Sequence, residues 1–108
     1  MKYVHTNIIA KDWKLLSDFY INVFDCKPVL PERNLKGDWL EKGTAVKDAS
    51  LQGVHLLLPG FGEDGPTLEI FQYQENEGKP ECVANREGFG HIAFSVDNVE
   101  VGLKKMIS

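Results

Sequence analysis

The stretch Gly88-Phe89-Gly90-His91-Ile92-Ala93-Phe94-Ser95-Val96-Asp97-Asn98 opens an apolar strand with a histidine, and the residues from Val99 to Ile107 then read as the start of a helix. The same order stands at the other end of the chain. There Tyr3-Val4-His5-Thr6-Asn7-Ile8-Ile9-Ala10 is followed by a helical pattern. Two histidine-bearing strands, each leading into a helix, predict a duplicated strand-helix unit whose imidazoles aim at one shared point. A metal ion suits such a point, because neutral imidazole is the commonest protein ligand for one.

Between these two segments the pattern continues. In the first strand Tyr3, His5, Asn7 and Ile9 share one face, and Val4, Thr6, Ile8 and Ala10 share the other. Asp12 is placed to cap a helix in which Trp13, Leu16, Tyr20, Val23 and Phe24 fall close to one stripe, ending near Asp25. Pro28 and Pro31 bound a short strand from Lys27 to Leu30. From Pro31 to Ser50 the periodicity is lost, which predicts a long loop with one turn around Trp39 to Lys42. Val54 to Leu58 and Thr67 to Tyr73 read as a hairpin joined by the turn-rich Pro59 to Pro66. In its second strand Thr67, Glu69, Phe71 and Tyr73 share a face, so a carboxylate stands in an otherwise apolar setting, where it needs a partner.

The fold class expected from this order is α+β. It consists of a βαβββ module over residues 1–75, a polar linker over 76–88, and over 89–108 the start of a second module that is incomplete after its first strand and helix. The 108 residues suffice for one small domain, and 43% apolar with 26% charged residues is the balance of a globular chain, so disorder is not expected. The net charge of −4 comes without a cluster of Lys or Arg, which argues against a nucleic-acid partner. No apolar run approaches the ~20 residues of a membrane span, and no secretory leader is evident, so a cytoplasmic protein is expected. Cys26 and Cys82 have no metal-type spacing and read as free thiols.

His5 in Val4-His5-Thr6, Glu69 in Leu68-Glu69-Ile70 and His91 in Gly90-His91-Ile92 together resemble the superfamily of glyoxalase I, bleomycin-resistance proteins and extradiol dioxygenases, the vicinal oxygen chelate proteins. The resemblance runs through nearly the whole chain and is weakest from Pro31 to Ser50. It implies βαβββ modules that form a cupped mixed sheet, with metal ligands on the inner face of particular strands. The glyoxalase I branch uses His, Glu, His and Glu in chain order. By that likeness His5, Glu69 and His91 are the first three ligands, and the fourth has no counterpart before the chain ends at Ser108.

The implied cofactor is one divalent transition metal, Ni, Zn, Co, Mn or Fe, since imidazoles and carboxylates accept all of them. The implied reaction is that of a metal-dependent lyase or isomerase acting on a small vicinal-oxygen substrate through a metal-stabilised enediolate, with Glu69 as the proton-shuttling base. A non-catalytic binding or resistance protein of the same fold is the first alternative, and an Fe(II)-dependent extradiol-type dioxygenase the second. The dioxygenases and the fosfomycin-modifying enzymes resemble a plan that leaves the Glu69 position free, so Glu69 argues against both. Pairing of modules in the superfamily implies a homodimer.

Each ligand also has a plainer reading. A lone strand histidine is more often hydrogen-bonded than metal-bound, and only the combination with Glu69 favours coordination. His55 matches no ligand position and reads as pocket wall or structural; Asn7, Trp39, Phe71 and Tyr73 are the other candidate pocket residues. Glutathione-using members carry an Arg on the first strand and an Asn on the Glu-bearing strand, where this chain has Ile9 and Tyr73. The glutathione carboxylates would lack their partners. A lactoylglutathione lyase assay with the methylglyoxal–glutathione hemithioacetal is therefore expected to show poor turnover, and an efficiency in the family's usual range would overturn this expectation.

Overall fold

The computed structural model describes residues 1–107, in two compact units: Met1–Asn76 and a second that begins at Glu77. The first unit runs β1 (His5–Ile9), α1 (Trp13–Phe24), β2 (Lys27–Lys36), α2 (Asp38–Thr44), β3 (Ser50–Leu57) and β4 (Thr67–Tyr73). Its four strands form one sheet in the order β1-β4-β3-β2. β4 lies parallel to β1 and antiparallel to β3, and β3 is antiparallel to β2. This is the mixed α+β sheet expected from the sequence.

α1 begins where Asp12 accepts a hydrogen bond from the Leu15 N–H at 3.1 Å. Its start is tied to the end of β4 by a second bond, from the Trp13 N–H to Gln72 Oε1 at 3.1 Å. The helix lies against β3 and β4. The even-numbered residues Val54, Leu56, Leu68 and Ile70 are buried on this side, with Trp13 and Cys26. Burying each such Leu or Ile side chain contributes about 1.5–3 kcal/mol, so these positions carry much of the unit's stability. Ser17, also buried, returns its hydroxyl to the Trp13 carbonyl at 2.8 Å and leaves no unpaired donor on the helix face.

The odd-numbered side of the sheet is only partly covered. At its Tyr73 end, Leu40 of α2 packs with Ala49 and Leu51, joined by Leu35, Phe71 and Tyr73. The Thr67 end of the same face carries His5, His55 and Glu69.

Three expectations are corrected. The loop predicted from Pro31 to Ser50 is instead the continuation of β2 to Lys36, then α2, then a β3 that starts at Ser50 and not at Val54. Proline halts a strand by removing a ladder N–H, but β2 is an edge strand, where an N–H turned to solvent has no partner to lose. Pro31 falls inside the register shift between Val29 and Arg33, preceded by a cis peptide bond. The single turn predicted at Trp39 to Lys42 is a helix of seven residues, capped by Gly37 at φ +124° and by Ala45 in the left-handed region. Finally, the strand predicted at His91 is not formed. The stretch before α3 (Val99–Ile107) has no regular structure. A strand needs a ladder partner, and among the described residues the second unit has no other strand to supply one. α3 itself forms as expected, with Asn98 Oδ1 accepting from the Val101 N–H at 3.1 Å.

Cys26 and Cys82 are both free, as expected. No described helix is long and apolar enough to cross a membrane.

Gly53, paired with Phe71 across β3 and β4, marks the tightest approach in the sheet. A Cβ there would lie 2.0 Å from the Ile70 carbonyl oxygen and 2.6 Å from Phe71 Cδ1. The Phe71 ring rests where a side chain would stand. Gly53→Ala is expected to destabilise the protein by about 1–3 kcal/mol, read by urea denaturation, because the clash is with backbone that cannot rotate away.

Candidate functional site

Strand register alone brings three of the chemistry-bearing residues together. His55 on β3 stands directly opposite Glu69 on β4, and Asn7 on β1 stands opposite Glu69 from the other side. His5 is two positions before Asn7 and therefore shares its face. In the outcome His5 Nε2 lies 3.1 Å from Glu69 Oε1, and His55 Nε2 lies 3.2 Å from Glu69 Oε2. Each carboxylate oxygen has its own imidazole.

Glu69 is the most enclosed of the three, with 14% of its side chain exposed against 43% for His5 and 22% for His55. A carboxylate this far from water needs charge-assisted contacts, and the two imidazoles supply them. Burial pushes the His55 imidazole below its usual pKa of 6.5, and this outweighs the Glu69 carboxylate, which pulls it up; the Arg33 and His5 charges add to the lowering. His55 is thus neutral at pH 7. With the proton on Nε2 it donates to Oε2, whereas the other tautomer would set a lone pair against the carboxylate. The ring is held edge-on to Phe71 at 5.7 Å and to His5 at 6.3 Å between centroids.

The remaining expected residues are distributed differently. Asn7 donates its side-chain amide to the Glu69 backbone carbonyl at 3.3 Å, so it braces the strand pair and does not face a pocket unbonded. Phe71 borders His55. Tyr73 packs into the cluster under α2 and lines a hollow of about 410 Å³ with Ala49, Ser50 and Gln74, at the end of the strands away from the histidines. Trp39 stands on α2, 61% exposed, its indole 3.2 Å from where a Gly37 Cβ would be. His91 lies in the second unit, exposed and outside any helix or strand.

Among the described residues no group of three or more His, Cys, Asp or Glu side chains is placed to hold a metal ion. The reason within the first unit is visible in the pairing, since the two imidazoles address different oxygens of one carboxylate and do not converge. The His5–Glu69 pair by itself does fit an ion in kind. Two donor atoms each about 2.1 Å from a shared ion at a right angle lie about 3 Å apart, which is the separation these two already have.

The role of His55 was missed in the sequence, although a signal was present. A hairpin closed symmetrically through Leu58 to Pro66, one residue longer than the turn expected from Pro59 to Pro66, sets Leu57 against Thr67 and, two residues further along each strand, His55 against Glu69. Arg33 was missed for another reason: it lay in the supposed loop, whereas on β2 it stands opposite Gly53 on the face that carries Glu69.

Comparison with known proteins agrees at the level of the fold. No family model matches the chain, and neither does any curated protein. Among solved structures, a glyoxalase family protein from Bacillus cereus superposes with a TM-score of 0.69 at 13% identity, over 99% of this chain and 69% of that one. A variant of the fosfomycin resistance protein FosX from Listeria monocytogenes, complexed with Mn(II) and 1S,2S-dihydroxypropylphosphonic acid, gives 0.60 at 16% identity, over 98% and 67%. A glyoxylase/bleomycin resistance protein/dioxygenase domain from Frankia sp. EAN1pec gives 0.53 at 20% identity, over 99% and 67%. The chain therefore shares the fold of these glyoxalase-type proteins, the fold that the resemblance implied.

Because the folded state disfavours protonated His55, the unfolded chain takes up that proton more readily. The stability tied to neutral His55 is complete above the usual histidine pKa and is lost as pH falls from about 6.5 through the lower folded-state value. Urea midpoints measured between pH 7 and pH 5.5 are expected to fall more steeply for the wild type than for His55→Gln.

Proposed function

We propose that this chain is a glyoxalase-like, metal-dependent lyase or isomerase acting on a small substrate with two adjacent oxygens. The observation that carries the reading is the His5–Glu69 pair at 3.1 Å on the face of the sheet opposite α1. A divalent transition metal held there would serve as a Lewis acid toward the two substrate oxygens. His5 and Glu69 would hold it from β1 and β4, and the family pattern counts His91 as a further ligand. Glu69 also carries the proton step: as a poorly solvated carboxylate it takes a proton from the substrate carbon next to the oxygens and returns it to the neighbouring one. A homodimer, in which modules pair across two copies of the chain, belongs to this reading.

One observation favours a second reading, a binding protein of the same fold without catalysis. Both Glu69 oxygens already have imidazole partners, so the carboxylate is satisfied without an ion.

Elemental analysis of protein purified without chelators separates the two. About one transition-metal ion per chain, lost in a His5→Ala/Glu69→Ala double variant, is expected from the enzyme reading. Absence of metal from the wild type, even after addition of Ni²⁺, Zn²⁺ or Mn²⁺, would leave the binding protein.

A further inference from the structure

We propose that His55 is a positioning residue for Glu69: from β3 it holds Oε2 and so turns Oε1 alone toward His5 and the ion that His5 and Glu69 share. The inference rests on the metal-dependent reading above, and it concerns a residue that the ligand pattern of the resemblance leaves without a role.

The geometry is set at three levels. Backbone register puts His55 and Glu69 directly across an antiparallel pair, where facing side chains are close enough to touch without distortion. The ring is then fixed from the side by Phe71, which can lie there only because Gly53 has no side chain to displace it. Last, His55 Nε2 meets Oε2 at 3.2 Å, on the oxygen that His5 does not approach. A glutamate has three rotatable side-chain bonds, and an unanchored carboxylate can present either oxygen, or both, to an ion. With Oε2 engaged, Glu69 is limited to one-oxygen contact in the direction of His5. Partners of this kind, one step behind the ligands, commonly change metal affinity by about 10–100-fold when removed. His55 does not act as a third ligand in this arrangement, since its Nε2 meets Oε2 whereas His5 Nε2 meets Oε1.

The test is titration of the full chain with Mn²⁺ alone, following free Mn²⁺ by electron paramagnetic resonance, with thermal unfolding recorded for every variant. His55→Leu is expected to weaken Mn²⁺ binding by about 10–100-fold at unchanged stoichiometry. His55→Gln, whose amide N–H can still reach Oε2, is expected to restore most of that affinity, a rescue that a purely structural role would not produce. If the leucine variant does not fold, His55→Asn, whose shorter amide stops short of Oε2, replaces it. Unchanged affinity in His55→Leu overturns the proposal. So does a complete loss of Mn²⁺ matching that of His5→Ala with no rescue by glutamine, which would make His55 a ligand. If the wild type itself takes up no Mn²⁺, the metal-dependent reading falls and the positioning role falls with it, an outcome distinct from the other two.

Discussion

The position of β4 between β1 and β3 is the constraint from which the rest of the first unit follows. It is the one strand with a parallel neighbour on one side and an antiparallel neighbour on the other. A parallel pair cannot be closed by a tight turn, so the chain must leave β1 and return after a long excursion, here through α1, β2, α2 and β3. That excursion supplies the helix that covers one face with the buried pair Leu68 and Ile70 beneath it. On the other face the same strand sets Glu69 between residues that are far apart in the chain. The core and the candidate site are two sides of one seven-residue strand.

Electrostatics on the face opposite α1 then depend on that central placement. Glu69 is enclosed by its neighbours on both sides, and the contacts from His5 and His55 compensate for its lost hydration. A carboxylate on an edge strand would have water on one side and little need of either imidazole. The enclosure also sets the character of His55, where burial favours the neutral ring over the charged one. Neutral imidazole on one oxygen and a more exposed imidazole on the other make the two ends of the carboxylate chemically unequal.

Much of this was legible in the residues. The alternation in Tyr3 to Ala10 and Thr67 to Tyr73 assigned His5 and Glu69 to faces, and the Asp12 cap with its following stripe assigned α1, because local periodicity reports directly on burial. What stayed hidden depended on tertiary position. Pro28 and Pro31 read as strand breakers because nothing in the local sequence says that β2 is at an edge. The short α2 has a glycine where a capping side chain would be, so it left no start signal. His91 shows the opposite error: its apolar run has strand propensity, but propensity without a ladder partner does not make a strand. His55 required the register of two strands to be worked out together, which single-strand periodicity does not provide.

The prolines of β2 have an effect beyond interrupting a pattern. An open sheet ends in exposed N–H and C=O groups that can template pairing with any other extended chain. In the edge strand β2, Pro28 and Pro31 each lack a backbone donor, the register shift between Val29 and Arg33 breaks the straight run, and Lys27 and Lys36 put a positive charge at either end. A foreign strand laid along this edge would find its hydrogen bonds out of step and its approach opposed by desolvation of the lysines. The features that hid β2 in the sequence thus protect this margin of the sheet against accretion into β-aggregates.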